Sequence, residues 1–139
     1  MDGVLPLVVC AAFVAIALWH FYMAFTGMSG ESAAVPSIDG KPLFVPSAGS
    51  TIAVGVVLLL FALLVAATAG MVSIGVTRTV LSWLSWALAV GLCARAVGDF
   101  RYVGFFKKVR GSRFARMDTL LYSPVCLLLS AGVAAVAIA

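Results

Sequence analysis

Residues 51–72 read TIAVGVVLLLFALLVAATAGMV, a stretch that contains no charged side chain. About 20 such residues in a helix cross the hydrocarbon core of a bilayer, which is about 30 Å thick. Inside lipid the backbone has to satisfy its own hydrogen bonds, so a segment of this kind forms a helix. The stretch therefore predicts a transmembrane helix. We accordingly interpret the rest of the chain as part of a membrane protein.

Three further apolar blocks have a similar length and predict spans at residues 3–25, 80–98 and 118–138. The composition agrees, since 64% of the residues are hydrophobic and only 10% are charged. Soluble domains carry about 25% charged residues. We therefore predict an all-α, polytopic membrane protein. The four transmembrane helices form one compact bundle, and residues 1–139 are a single integral membrane domain.

The last block contains Pro124, which bears on where its helix begins. A helix that started at this proline would be about 24 Å long and too short to span comfortably. We therefore expect the helix to start near Asp118 and to contain Pro124. The proline then leaves the carbonyl of Leu120 without its helical partner.

The segment before the last span, GDFRYVGFFKKVRGSRFARMD (98–118), holds most of the positive charge of the chain. Tyr102, Phe105, Phe106 and Val109 follow the spacing of one helical face. This pattern predicts a short amphipathic interfacial helix before the last span, with its basic side against anionic lipid headgroups. Because the charge is confined to one loop between apolar blocks, nucleic acid is not an expected partner.

The loop at residues 27–50 is rich in proline and contains the turn signal Asp39-Gly40. It predicts either a short hairpin-like lid or a plain ordered linker.

The loops also predict the orientation of the chain. The first and third loops hold Lys41 and the basic run, whereas the opposite side holds only Arg78. The positive-inside rule then places these two loops in the cytoplasm and both termini outside, in a bacterial inner membrane.

This topology brings scattered polar residues to the cytoplasmic end of the bundle. Ionisable residues at membrane depth are costly and are functional candidates by default. The predicted catalytic residues are His20, Asp99, Asp118 and Tyr122. The predicted substrate-binding residues are Tyr22, Glu31, Arg95, Arg101 and Tyr102.

Each of these candidates also has a structural interpretation. Arg95 either pairs with Asp99 four residues later, extends to the headgroups, or binds an anionic headgroup or diphosphate. Asp99 either caps the following helix or, with a raised pKa, acts as a general acid. Asp118 either caps the last helix or exchanges a proton. His20 either packs through a hydrogen bond or relays a proton.

Metal and cofactor sites are not expected. The chain has one histidine, and its three cysteines lie in separate apolar blocks without CxxC spacing.

The sequence resembles a family of short bacterial integral membrane proteins catalogued as a domain of unknown function. The blocks GDFRYVGFFK (98–107), FARMDT (114–119) and YSP (122–124) carry the resemblance, together with ALWHFYMAF (17–25) and the VP…PLFVP loop. The resemblance covers nearly the whole chain and implies about four spans. It implies no activity.

Three hypotheses of function follow. The first is an acid/base enzyme, such as an isomerase or terpene cyclase, acting on a lipophilic, isoprenoid- or sterol-like molecule. The second is a non-catalytic accessory or structural membrane subunit. The third is a small oligomeric transporter, against which the position of the acids at one end argues. A cleft lined by the acids would favour the enzyme, and a satisfied ion-pair cluster without a cleft would favour the subunit.

Overall fold

The computed structural model describes residues 3–28 and 33–139, and within them it contains four long apolar helices. These are α1 (Val4–Thr26), α2 (Ala48–Thr68), α3 (Arg78–Val97) and α4 (Arg113–Ile138). Each is long and apolar enough to cross a membrane. The predicted fold class, an all-α bundle of four transmembrane helices, is confirmed.

The bundle consists of two helix pairs, in which α1 packs mainly on α2 and α3 mainly on α4. Phe13, Val65 and Val133 lie fully buried where the pairs meet. Small residues allow the helices to approach closely, as is usual in membranes. A Cβ on Gly55 would lie 2.6 Å from the Phe21 ring, and one on Gly132 would lie 2.7 Å from Val9 Cγ2.

Polar side chains join the helices at several levels. The hydroxyls of Thr68 and Ser85 lie 2.8 Å apart, and Ser130 Oγ donates to the carbonyl of Ala89 at 2.7 Å. At the end of the bundle where α3 begins, Arg78 donates to the carbonyls of Thr68 and Val136, near the ends of α2 and α4. Helix C-termini leave such carbonyls without partners, so the guanidinium joins three helices there.

Helix α4 changes its winding on the way into the bundle. It has α geometry over Arg113–Met117, π geometry over Asp118–Tyr122 and α geometry over Ser123–Ile138. Pro124 lies inside it, as predicted. In the π segment the N–H of Ser123 donates to the carbonyl of Asp118, five residues earlier.

The predicted start of this helix is wrong. It begins five residues before Asp118, and Ser112 is its N-cap, with Oγ accepting from the N–H of Ala115 at 3.0 Å. Asp118 is therefore not a capping residue.

The predicted amphipathic interfacial helix is also wrong. Residues 98–112, all of which the structure describes, form no helix. Gly98 and Gly104 have φ values of +91° and +89° and lie against each other, so the chain reverses direction between them. Phe105 N–H then donates to the carbonyl of Ala96 at 2.9 Å. Tyr102, Phe105, Phe106 and Val109 therefore do not form a helical face.

The first loop forms a hairpin, which is one of the two alternatives that its sequence left open. Strand β1 (Ser37–Ile38) pairs antiparallel with β2 (Lys41–Pro42), with Ile38 opposite Lys41. Both turn residues, Asp39 and Gly40, have positive φ, which is the geometry of a tight type I′ turn.

We predict that Gly104→Ala destabilises the protein by several kcal/mol. The left-handed backbone costs an alanine about 1–2 kcal/mol, and its Cβ would overlap the carbonyl of Val97. Gly111→Ala is the matched control, because Gly111 also has positive φ but open space around it. Thermal unfolding in detergent should show a clearly larger loss for Gly104→Ala, and equal losses would contradict the packing argument.

Candidate functional site

A fully buried carboxylate, Asp118, organises the end of the bundle where α3 finishes. Its Oδ1 accepts from Arg95 Nη2 at 2.7 Å. Its Oδ2 accepts from the backbone N–H of Gly104 at 2.7 Å and from Lys107 Nζ at 3.0 Å. We call Arg95, Gly104, Lys107, Asp118 and Thr119 the Asp118 cluster. It links α3, the loop at residues 98–112 and the π segment of α4.

Lys107 is the member of this cluster that sequence reasoning missed. The basic run predicts it on a face toward lipid headgroups, but its side chain is fully buried. Besides Asp118, its ammonium donates to the carbonyl of Gly104 at 2.9 Å and to Thr119 Oγ1 at 2.5 Å. All of its donors are used. The only signal in the sequence was a general one, that a buried acid requires cationic partners.

The reversal of the loop explains how these groups meet. Because Gly98 and Gly104 pack together, the loop folds back over the end of α3 and directs the N–H of Gly104 at α4. Lys107 follows three residues later and bonds across the same turn.

Arg95 pairs with Asp118, 23 residues away, and not with Asp99 as one interpretation had it. About a third of its side chain is exposed. Its Nη1 atom is nevertheless buried and has no hydrogen-bond partner among the described residues. The cluster holds two cations and one carboxylate.

Asp99 is exposed on the loop, and its Oδ1 accepts from the backbone N–H groups of Arg101, Tyr102 and Val103 at 2.8–3.0 Å. These bonds, with that of Arg101 foremost, hold the pKa of the carboxyl below its ordinary value. The raised pKa that a general acid requires is therefore contradicted. Asp99 caps a turn of the loop rather than a helix.

The other predicted residues have separate partners. His20 Nδ1 donates to the carbonyl of Ile16 at 2.8 Å, and Tyr22 stacks on Trp19 with ring centroids 5.5 Å apart, both within α1. The guanidinium of Arg101 lies 5.0 Å from the ring centre of Tyr102.

Tyr122 donates its hydroxyl to the carbonyl of Ala33 at 2.8 Å and so fastens the first loop to α4. Glu31 lies outside the described residues. Of the eight predicted residues that the structure describes, two pairs meet through their side chains, Arg95 with Asp118 as an ion pair and Arg101 with Tyr102 as a cation–π contact.

A groove of about 620 Å³ lies between the first loop and the residues that lead into α4. Ile38, Asp39 and Gly40 line one side, and Arg110 and Arg113 line the other. None of the predicted catalytic residues belongs to its lining, as far as the described residues show. Within the same residues, no three His, Cys, Asp or Glu side chains come together as metal ligands.

These features define a small multi-pass membrane protein with a buried ion cluster at one end. The chain belongs to the family described as "Protein of unknown function (DUF3995)", whose model matches residues 13–133. No curated protein and no solved structure matches the chain. The resemblance to a domain of unknown function is thereby confirmed.

We predict that Lys107→Gln destabilises the protein by about 3 kcal/mol, because it removes one partner of a buried ion pair. Lys108→Gln is the matched control. Lys108 is the next residue along the chain and is exposed, so its replacement should change stability by less than about 0.5 kcal/mol. Both values can be measured by thermal or denaturant unfolding in the same detergent. Similar values for the two variants would contradict the buried position of Lys107.

Asp99 predicts a pH dependence at the acid end. Its folded pKa lies below the unfolded value of about 3.9. The stability that the ionised group contributes is therefore fully present above that pH and is lost as the pH falls through the folded pKa. NMR should show the amide protons of Arg101, Tyr102 and Val103 shifting with a midpoint below pH 3.9. Asp99→Asn should abolish this shift, and a midpoint above 3.9 in the native protein would argue against the cap.

Proposed function

We propose that this protein is a non-catalytic accessory subunit that presents a rigid extramembrane surface to a partner protein. The observation that carries the proposal is the saturation of Asp118. Its carboxylate accepts three hydrogen bonds, and those bonds fix the loop at residues 98–112 to α3 and α4. A buried acid used in this way serves the architecture of the bundle end.

The second acid supports the same conclusion. A general acid has to hold a proton near the working pH and deliver it to a substrate. Asp99 has a lowered pKa, and one of its oxygens is used by three backbone N–H groups. The geometry therefore favours the subunit over the isomerase or cyclase.

The surface available to a partner is the groove between the two loops. Arg110 is held in place there, because its Nε donates to the carbonyl of Lys107 at 3.2 Å and its Nη2 to that of Phe105 at 3.0 Å. Arg113 is exposed beside it, at the first position of α4. Arginine in a fixed position suits planar carboxylates. The proposed partner is an acidic segment of another protein, on the cytoplasmic side of a bacterial inner membrane by the positive-inside rule.

The test is site-specific photo-crosslinking of the full chain in its native membrane. A photoreactive residue at Ile38, which lines the groove and is exposed, should give a protein adduct of one discrete mass. The same probe at Leu128, an exposed residue of the α4 span, should give only lipid adducts.

Charge reversal identifies the chemistry of the contact. Arg113→Glu should abolish the Ile38 adduct, and the fold should be kept because an acidic residue is favourable in the first turn of a helix. Arg101→Glu is the control, since Arg101 is an exposed cation outside the groove lining. In this variant the yield of the Ile38 adduct should stay within about twofold of that in the unaltered protein, because the altered charge makes no contact with the partner.

Two results would overturn the proposal. One is the absence of a protein adduct at Ile38, or its equal loss in both charge variants. The other is a lipophilic molecule that is chemically converted by the purified protein but not by Asp118→Asn, which would restore the isomerase or cyclase.

A further inference from the structure

The charges of the Asp118 cluster do not balance. Arg95 and Lys107 contribute two positive charges, and Asp118 contributes one negative charge. Among the other described acids at this end, Asp99 is bonded to backbone N–H groups of its own loop, and Asp39 lies in the turn of the first loop. An uncompensated charge in an apolar environment is expensive, so buried charges are normally paired.

The surplus lies on Arg95. Lys107 uses its donors on Asp118, Gly104 and Thr119. Arg95 uses Nη2 on Asp118, but its Nη1 is buried and has no hydrogen-bond partner among the described residues. The excess charge and the unused donor therefore belong to the same guanidinium.

A second group without a partner lies on α4 at the level of Arg95. Ser123 is fully buried, and its Oγ likewise has no hydrogen-bond partner among the described residues. Ser130 of α4 contacts Ala89 of α3, which gives the register of these two antiparallel helices. Arg95 lies six residues beyond Ala89 on α3, which is about 9 Å along the helix axis. The same distance back along α4 from Ser130 reaches the level of Ser123 and Pro124. From this level the side chain of Arg95 reaches Asp118, five residues before Ser123 on α4.

Buried polar groups in native proteins nearly always have partners, and two unpartnered groups at one level indicate a bound molecule. Water could satisfy their hydrogen bonds but would leave the positive charge. An anion satisfies both requirements. Arg95 lies in the last turn of α3, and about a third of its side chain is exposed. Guanidinium groups bind phosphate oxygens especially well.

We propose that Arg95 and Ser123 bind one phosphate oxyanion per chain, between the ends of α3 and α4. The phosphate accepts hydrogen bonds from Arg95 Nη1 and Ser123 Oγ. It balances the excess charge of the Asp118 cluster. This site is separate from the groove of the proposed function and does not depend on it.

The experiment uses the full chain reconstituted in phosphatidylglycerol and released for native mass spectrometry. The unaltered protein should retain one lipid per chain. Ser123→Ala removes one donor and leaves the Asp118 ion pairs in place, so retention should fall about tenfold, as expected for a hydrogen bond to a charged group. Arg95→Gln should abolish retention.

The controls match each variant. Ser130→Ala removes another buried serine hydroxyl of α4, and Arg101→Gln removes an exposed positive charge. Both should retain the lipid as the unaltered protein does. Arg95→Gln also breaks an ion pair and can unfold the protein. The comparison of lipid retention between Ser123→Ala and Ser130→Ala is therefore sufficient to test the site.

A second arm separates the two sources of phosphate. Lipid-free protein in detergent is titrated with inorganic phosphate, and its melting temperature is followed with chloride at constant ionic strength as reference. The site would be assigned to free phosphate if phosphate raises the melting temperature, Ser123→Ala reduces that rise, and no lipid is retained in the first arm. Equal retention in the unaltered protein, Ser123→Ala and Ser130→Ala would overturn the proposal, as would the absence of both lipid and phosphate binding.

Discussion

The buried carboxylate of Asp118 is the constraint on which this end of the molecule depends. In an apolar interior such a group requires donors on both oxygens, and here they come from three parts of the chain: Arg95 of α3, and Gly104 and Lys107 of the loop. The hydrogen bonds to this one carboxylate therefore connect the end of α3, the reversal of the loop and the turn of α4 that carries Asp118. The π segment that carries Asp118 belongs to the same arrangement, since π-bulges are frequent where a helix is adapted to a specific site.

At the opposite end of the bundle, one arginine joins the helices. Exposed Arg78 donates to carbonyls near the ends of α2 and α4, so a cation joins the helices at each end of the bundle. Between the ends, apolar helices pack against each other in competition with lipid tails that are equally apolar. Close contacts at Gly55 and Gly132, and the hydroxyl pairs, supply the specificity that apolar surface alone cannot supply there.

The polar end of the bundle has different functional implications in the folded protein than in the sequence. A concentration of acids, a histidine and an arginine at membrane depth favours catalysis as a first hypothesis. In the folded protein, Asp99 and Asp118 bond to the loop, and His20 and Tyr122 bond to backbone carbonyls. Among the described residues, the buried polar side-chain atoms without a partner are Arg95 Nη1 and Ser123 Oγ, and two exposed arginines, Arg110 and Arg113, line the groove. Both proposals therefore assign the protein anionic partners, a carboxylate-bearing segment at the groove and a phosphate at the end of α3.

The sequence by itself determined that four apolar segments form helices long enough to span a membrane, and it marked Asp39-Gly40 as a turn. Hydrophobicity adds up along a segment, and the Asp39-Gly40 turn depends on its own backbone, so both are local properties. Only the tertiary structure decided that Arg95 bonds Asp118 rather than Asp99. It also decided that residues 98–112 form a loop, and that Lys107 is buried while Lys108 is exposed. The physical reason is that a charged side chain pairs with the group that lies beside it in the folded protein. Which groups are buried together depends on how distant segments pack, and neighbouring residues in the sequence do not reveal it.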